Sequence, residues 1–214
     1  MIHFVYGDAL VSRPSLAHSM FIDRAEQFKT RLGWDVNVDD LGEERDEYDF
    51  LNPLYVIIAN KDGRHEASMR LLPTTGKTMV NDHFQEITHG VPIESPMIWE
   101  CTRFCTSPDA EPYAAKKLMA AGGKLMQEFC IDHFVGVFDR KMLPVYRIIG
   151  CVPTIVGWSK NDRNKTGVGL WEYDANDYKR LLDGCGITEI EMELFFANAA
   201  LVSEDMGEQN TIAA

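Results

Sequence analysis

Apolar positions recur along this chain with periods near two and near 3.6, and the switches between them outline its elements. Ile2–Tyr6 reads as a short strand. Ser12 and Pro14 mark a helix start. Met20, Phe21, Arg24, Phe28 and Arg31 then recur three and four residues apart, predicting a helix to about Gly33 with Arg24, Phe28 and Arg31 on one face. Residues 35–49 are acidic and read as a loop able to close over a ligand. Leu54–Ala59 is a strand, Asp62-Gly63 a hairpin turn, and His65–Leu72 the returning strand, ended by Pro73. A short helix is predicted over 79–88, a strand over 97–105 and a long amphipathic helix over 111–131. A strand at 133–138, a helix at 140–150, and strands at 153–158 and 167–173 follow. Asp174 or Asn176 can cap a last helix around Tyr178–Leu182.

A hairpin first, then strands alternating with helices, predicts an α/β fold: a three-layer α/β/α sandwich on a mixed sheet. No internal repeat divides the chain. One domain is expected over 1–202, with a polar, disordered tail over 203–214.

Composition narrows the partners. The net charge of −12 repels phosphate, which excludes nucleic acid as the expected partner. No apolar run approaches a membrane span, and the N-terminus lacks the pattern of a signal peptide. A cytoplasmic protein with no membrane partner is therefore expected. The 5 cysteines include no CxxC pair. Cys101 and Cys105 fall on one face of a regular strand, but no histidine pair accompanies them. Free thiols are expected, with no metal and no cofactor. Local basic clusters exist at Lys116, Lys117 and Lys124, at Arg140, Lys141 and Arg147, and at Lys160, Arg163 and Lys165.

The chemistry concentrates near the N-terminus. Arg24, Phe28, Arg31, Trp34, Glu44, Asp46 and Asp49 pack guanidinium groups, aromatics and clustered acids into one stretch. Such a set suits a zwitterionic small molecule. Cations hold a carboxylate, acids hold an ammonium or sulfonium, and aromatics cover a flat ring. Arg70 adds a cation on a strand. In Trp99-Glu100-Cys101-Thr102-Arg103-Phe104, strand alternation puts Glu100 and Thr102 on one face and Arg103 on the other.

Together, Arg24, Phe28, Trp34, Asp46, Asp49, Arg70, Phe84, Glu100 and Arg103 resemble the pattern of the acyl-homoserine-lactone synthases, the LuxI-type autoinducer synthases. The likeness spans roughly Arg24 to Gly150. One departure is Asp23, where the family usually has an apolar residue. The resemblance implies the fold of the GNAT N-acyltransferases, with strands 97–105 and 133–139 splayed to admit the pantetheine arm of a thioester. It implies a reaction between S-adenosylmethionine, a substrate rather than a cofactor, and an acyl group on carrier protein (acyl-ACP) or coenzyme A (acyl-CoA). Methylthioadenosine leaves as the homoserine lactone closes. Glu100 and Arg103 would be catalytic, with Glu100 as base. Arg24, Phe28, Trp34, Asp46, Asp49, Arg70 and Phe84 would build the S-adenosylmethionine site. Leu118, Met126, Phe138, Met142 and Tyr146 would line the acyl pocket. Family members with 3-oxo preference often carry threonine on the strand at 133–139. Gly136-Val137-Phe138-Asp139 has none, so a short, branched or flat acyl group is expected. Two other functions fit the same residues: an N-acyltransferase with another amine acceptor, or a non-enzymatic S-adenosylmethionine sensor.

Overall fold

The computed structural model describes residues 1–160 and 165–199. The expected tail and Arg163 lie outside the described residues. Seven strands form one sheet in the order β1-β2-β3-β4-β5-β7-β6. They are β1 (Ile2–Tyr6), β2 (Leu54–Ala59), β3 (His65–Pro73), β4 (Ile98–Thr106), β5 (His133–Asp139), β6 (Thr154–Trp158) and β7 (Thr166–Glu172). All neighbours run antiparallel except β4 and β5, so the sheet is mixed.

Period-two patterning sorts the side chains onto two faces. Val5, Tyr55, Ile57 and Ala59 pack with Leu16, Met20 and Phe21 of α1 (Pro14–Ala25) on one face. Phe4, Val56, Ile58, Met69 and Leu71 pack on the other. That face is covered by α3 (Ala114–Glu128), α5 (Ala175–Cys185) and α6 (Glu189–Ala197). Two shorter helices are α2 (Met79–His83) and α4 (Leu143–Ile149). The α/β/α sandwich agrees with the expectation.

Two features position the site. First, β4 and β5 pair only at Ile98–His133, Trp99–Phe134 and Glu100–Val135. Beyond these residues β5 keeps all its pairing with β7, and a gap opens between β4 and β5. Second, β4 carries a bulge. Ser68 faces Cys105 and Arg70 faces Thr102, so Met69 alone opposes Arg103 and Phe104. Arg103 takes φ 52 there, a left-handed conformation rare for a side-chain-bearing residue.

The bulge corrects two expectations. Arg103 joins Thr102 and Glu100 on the α1 side instead of pointing away from them. Cys101 and Cys105 fall on opposite faces. The Cys101 thiol lies 3.6 Å from the Met69 sulfur, whereas Cys105 meets the Asp23 carbonyl on α1. All five cysteines are free thiols.

Elsewhere the differences are local. The first helix widens into a π-helix over Glu26–Arg31. Leu32 donates to the Gln27 carbonyl and Trp34 to that of Phe28, and this wider turning breaks the shared face. Arg24 and Phe28 are buried while Arg31 is exposed. The helix expected over 79–88 stops at His83. The acidic loop is structured at its end by a 3₁₀ turn over Glu47–Phe50, with a reciprocal cap between Asp46 and Asp49. Asp174 caps α5. Helix α6 was not expected from the sequence, because Ile190, Met192, Leu194, Phe195 and Phe196 give it no polar face at helical spacing. Lys124, one of a local basic cluster in the sequence, is buried and ties α3 to Glu193 of α6.

Candidate active site

A buried ionic ring stands behind the site. Arg24 donates from Nε to Glu44 at 2.7 Å and from both terminal nitrogens to Asp49 at 2.9 Å. Arg70 pairs with Asp46 and with Asp49, and its Nε donates to Thr102 Oγ1 at 3.0 Å. Arg103 closes the ring, with Nη2 2.9 Å from Glu44 and 2.7 Å from Asp46. Tyr55 adds a hydroxyl donated to Asp49 at 2.6 Å. Arg24, Glu44 and Arg70 are almost wholly sealed, at 1%, 0% and 0% exposure. Burial opposes the Arg24 cation, but Asp49 and Glu44 outweigh it and raise its pKa. Burial likewise works against the Asp49 carboxylate, yet Arg24 and Arg70 hold it well below the ordinary range. The Arg24–Asp49 pair is therefore locked in its charged form.

This geometry revises the expected division of labour. Arg24 and Arg70 spend their donors on protein carboxylates and a threonine, so they brace the loop at 44–49 from behind. Arg103 differs. Its Nη1 has no partner among the described residues, and its guanidinium lies 5.3 Å from the Phe28 ring centre. Phe28 in turn stacks on Trp34, with centroids 5.2 Å apart. Glu44, named in the acidic cluster but given no separate role there, bridges two of the three arginines. Asp23 reaches across to His65 Nδ1 at 2.6 Å, which accounts for a carboxylate where an apolar residue was expected.

Glu100 is turned toward α2. It is 1% exposed and accepts from the backbone N–H groups of Met79 at 3.0 Å and Val80 at 2.5 Å. It thereby replaces Thr78 as the side-chain cap of α2, and the Thr78 hydroxyl is left buried without a partner. Burial raises the Glu100 pKa, and the two amides only partly offset it.

In front of the ring, a cavity of about 570 Å³ opens where β4 and β5 part. Phe28, Trp34, Phe84 and Arg103 line it, together with Met79 and Thr102. Phe138, Met142 and Tyr146 line it too, joined by Met119, Phe134 and Trp171. Exposed Arg31, Asp35, His83 and Lys141 also line it. Thus Phe28, Trp34 and Phe84 of the expected acceptor site and Phe138, Met142 and Tyr146 of the expected acyl site meet in one space, whereas Arg24, Asp46, Asp49 and Arg70 stay in the ring behind it. Leu118 and Met126 do not line it. Helix α3 turns Leu118 into the main core, and Met126 lines a separate cleft of about 70 Å³ against α5. Met119, Phe134 and Trp171 border both spaces.

Comparison with known proteins agrees with this geometry. Residues 8–181 match the family model described as autoinducer synthase. An acyl-homoserine-lactone synthase of Rhizobium etli is 37% identical over 190 residues, covering 85% of this chain and 88% of that protein. BjaI, a CoA-dependent acyl-homoserine lactone synthase solved with SAM and isopentyl-CoA, superposes with a TM-score of 0.79 at 23% identity, over 89% of this chain and 91% of that one. The acyl-homoserine-lactone synthase LasI superposes with a TM-score of 0.73 at 27% identity, over 86% and 94% of the two chains. The sandwich with its splayed β4 and β5 is accordingly a GNAT-like fold.

Proposed function

The chain belongs to the autoinducer synthase family, and on that premise we propose that it makes an acyl-homoserine-lactone signal from S-adenosylmethionine and an acyl thioester. It is an acyltransferase. The observation that carries this reading is the shared cavity, with Arg103 and the Phe28–Trp34 stack together with an apolar chamber at the parted strands. The stack suits the adenosyl ring and sulfonium, and the open Nη1 of Arg103 suits the carboxylate. The gap between β4 and β5 suits the pantetheine arm.

In the first step the α-amine attacks the thioester carbonyl, the thiol leaves, and the amine loses a proton. Asp49 is held ionised too firmly to take it. Glu100 has a raised pKa and is the proposed acceptor. Glu100 does not line the cavity, so the proton would cross by a water. In the second step the carboxylate oxygen attacks the γ-carbon, and methylthioadenosine departs with the C–S electron pair. This step asks mainly for a held, folded chain. The ionic ring supplies that by fixing the loop at 44–49 and Arg103.

The donor is acyl-ACP or acyl-CoA, and the site of action proposed is the cytoplasm. No helix among the described residues is long and apolar enough to cross a membrane. Incubation with S-adenosylmethionine and a panel of acyl thioesters should release methylthioadenosine and an acyl lactone. Thiol release without methylthioadenosine would indicate another amine acceptor, and binding without turnover would indicate a sensor.

A further inference from the structure

The acyl chamber is walled by interlocked aromatic rings. Phe138 stands edge-to-face with Tyr146 at 5.6 Å, Trp158 at 5.6 Å and Trp171 at 5.8 Å. Tyr146 meets Trp171 at 5.2 Å. These contacts fix the tyrosine ring from two sides. Its hydroxyl has no hydrogen-bond partner among the described residues, yet it is not one of the sealed, unsatisfied atoms. A tyrosine buried to this degree ordinarily pairs its hydroxyl. Apart from exposed Lys141 and from Arg103 on the ring side, the other groups that could serve a ligand there are apolar or occupied. Met119, Phe134, Val137 and Met142 are apolar. Thr102 already accepts from Arg70, and Asp139 and Thr166 have partners. Cys101 is a neutral thiol, because burial pushes its pKa up to about 12. A phenol held rigid, unpaired and open to a largely apolar chamber is a donor waiting for a ligand oxygen.

We propose that the acyl group this enzyme takes carries an oxygen substituent, a hydroxyl or oxo group, which the Tyr146 hydroxyl holds. This rests on the synthase reading above. Gly136-Val137-Phe138-Asp139 on β5 offers no side-chain hydroxyl, so the oxygen would be held from α4 instead. Burial keeps the phenol protonated by raising its pKa, so it stays a donor through the physiological range. A site built to hydrogen-bond a substituent rejects the analogue that lacks it far more strongly than a greasy pocket rejects a missing methylene.

The test compares acyl thioesters of one chain length that are unsubstituted, 3-hydroxy or 3-oxo, with methylthioadenosine release as readout. Wild-type enzyme should favour one oxygenated donor by at least about tenfold in kcat/KM. In Tyr146→Phe that ratio should fall by about tenfold or more, the ring contacts being kept. Equal or better turnover of the unsubstituted donor by wild type overturns the proposal, whatever the variant does. A Tyr146→Phe enzyme with an unaltered ratio overturns it as well. Absence of methylthioadenosine with every donor instead strikes the synthase reading itself.

Discussion

Arg103 reaches Glu44 across 59 residues of chain, Nη2 to Oε1 at 2.9 Å, from a backbone held at φ 52. Left-handed backbone costs a non-glycine residue on the order of 1–3 kcal/mol, so the pair and its neighbours must hold that conformation in place. Replacing Arg103 separates side chain from strain. Both Arg103→Ala and Arg103→Gly should lose about 10- to 150-fold in kcat/KM, the range of one charge-assisted contact to the ligand. Only glycine relieves the backbone, so Arg103→Gly should be more stable than Arg103→Ala by about 1 kcal/mol. Thermal melts of the two variants decide it, and equal melting points would show that the bulge stores no strain.

Arg24 is a structural pillar. Its sequence position leaves two contacts open, to the substrate carboxylate or to Asp46 or Asp49, with a raised S-adenosylmethionine KM and an intact fold expected on its loss. The structure gives the protein contact, to Asp49 and also to Glu44 at 1% exposure, and burial that deep makes the fold depend on it. Removing one partner of a buried pair leaves a charge uncompensated, at about 3–5 kcal/mol. Arg24→Ala and Glu44→Gln should both melt far below wild type. A variant that melts within a degree or two of it, with only KM altered, would restore the ligand-contact role.

The sandwich, the hairpin, most strand limits and the cap of α5 were legible because they follow from periodicity and turn chemistry, which are local. The bulge at Arg103 was not. A run such as Trp99–Phe104 carries no mark that one residue is extra, and the slip moved Arg103 and Cys105 to the opposite face. The π-turn over Glu26–Arg31 was hidden for the same reason. Helix α6 was missed because Ile190, Met192 and Leu194 alternate with Glu189, Glu191 and Glu193 instead of forming a helical stripe. In the site, the resemblance gathered the right side chains but could not rank them. Whether an arginine faces ligand or protein depends on which carboxylates the fold brings to it.

Two carboxylates respond to pH in opposite senses. Asp49 is depressed from its ordinary 3.8, so its contribution to stability is present above that value and is lost as pH falls below it. Glu100 is raised above its ordinary 4.5, so its ionised form costs stability and protonation relieves that cost. As the proton acceptor, however, Glu100 must be ionised. The acidic limb of kcat should therefore have its midpoint above 4.5, in a range where the fold is still intact. Glu100→Gln should lower kcat by roughly 10²–10⁴ and abolish that limb. A Glu100→Gln enzyme that keeps the limb assigns it to another group and leaves Glu100 as the cap of α2.

The chamber wall should set donor size, and it can be moved from either side. Phe138 is 4% exposed and wedged among three rings, so it cannot swing aside for a longer chain. Its backing is glycine. A Cβ on Gly169 would come 3.0 Å from the Phe138 ring and 2.8 Å from Pro153. Gly169→Ala should therefore push the ring toward the chamber, cost about 1–3 kcal/mol by overpacking, and shift preference to shorter donors. Phe138→Thr works in the other sense. It removes most of a buried ring at a cost of a few kcal/mol, and it opens space for longer donors. One methylene in an apolar pocket changes selectivity by about 10- to 200-fold, so both shifts should be tens of fold in relative kcat/KM and not absolute. Chain-length profiles that move in opposite directions in the two variants establish Phe138 as the gauge. Profiles unchanged in both, despite lowered melting points, would place the acyl group on the other side of the cavity, against Met119 and Phe134.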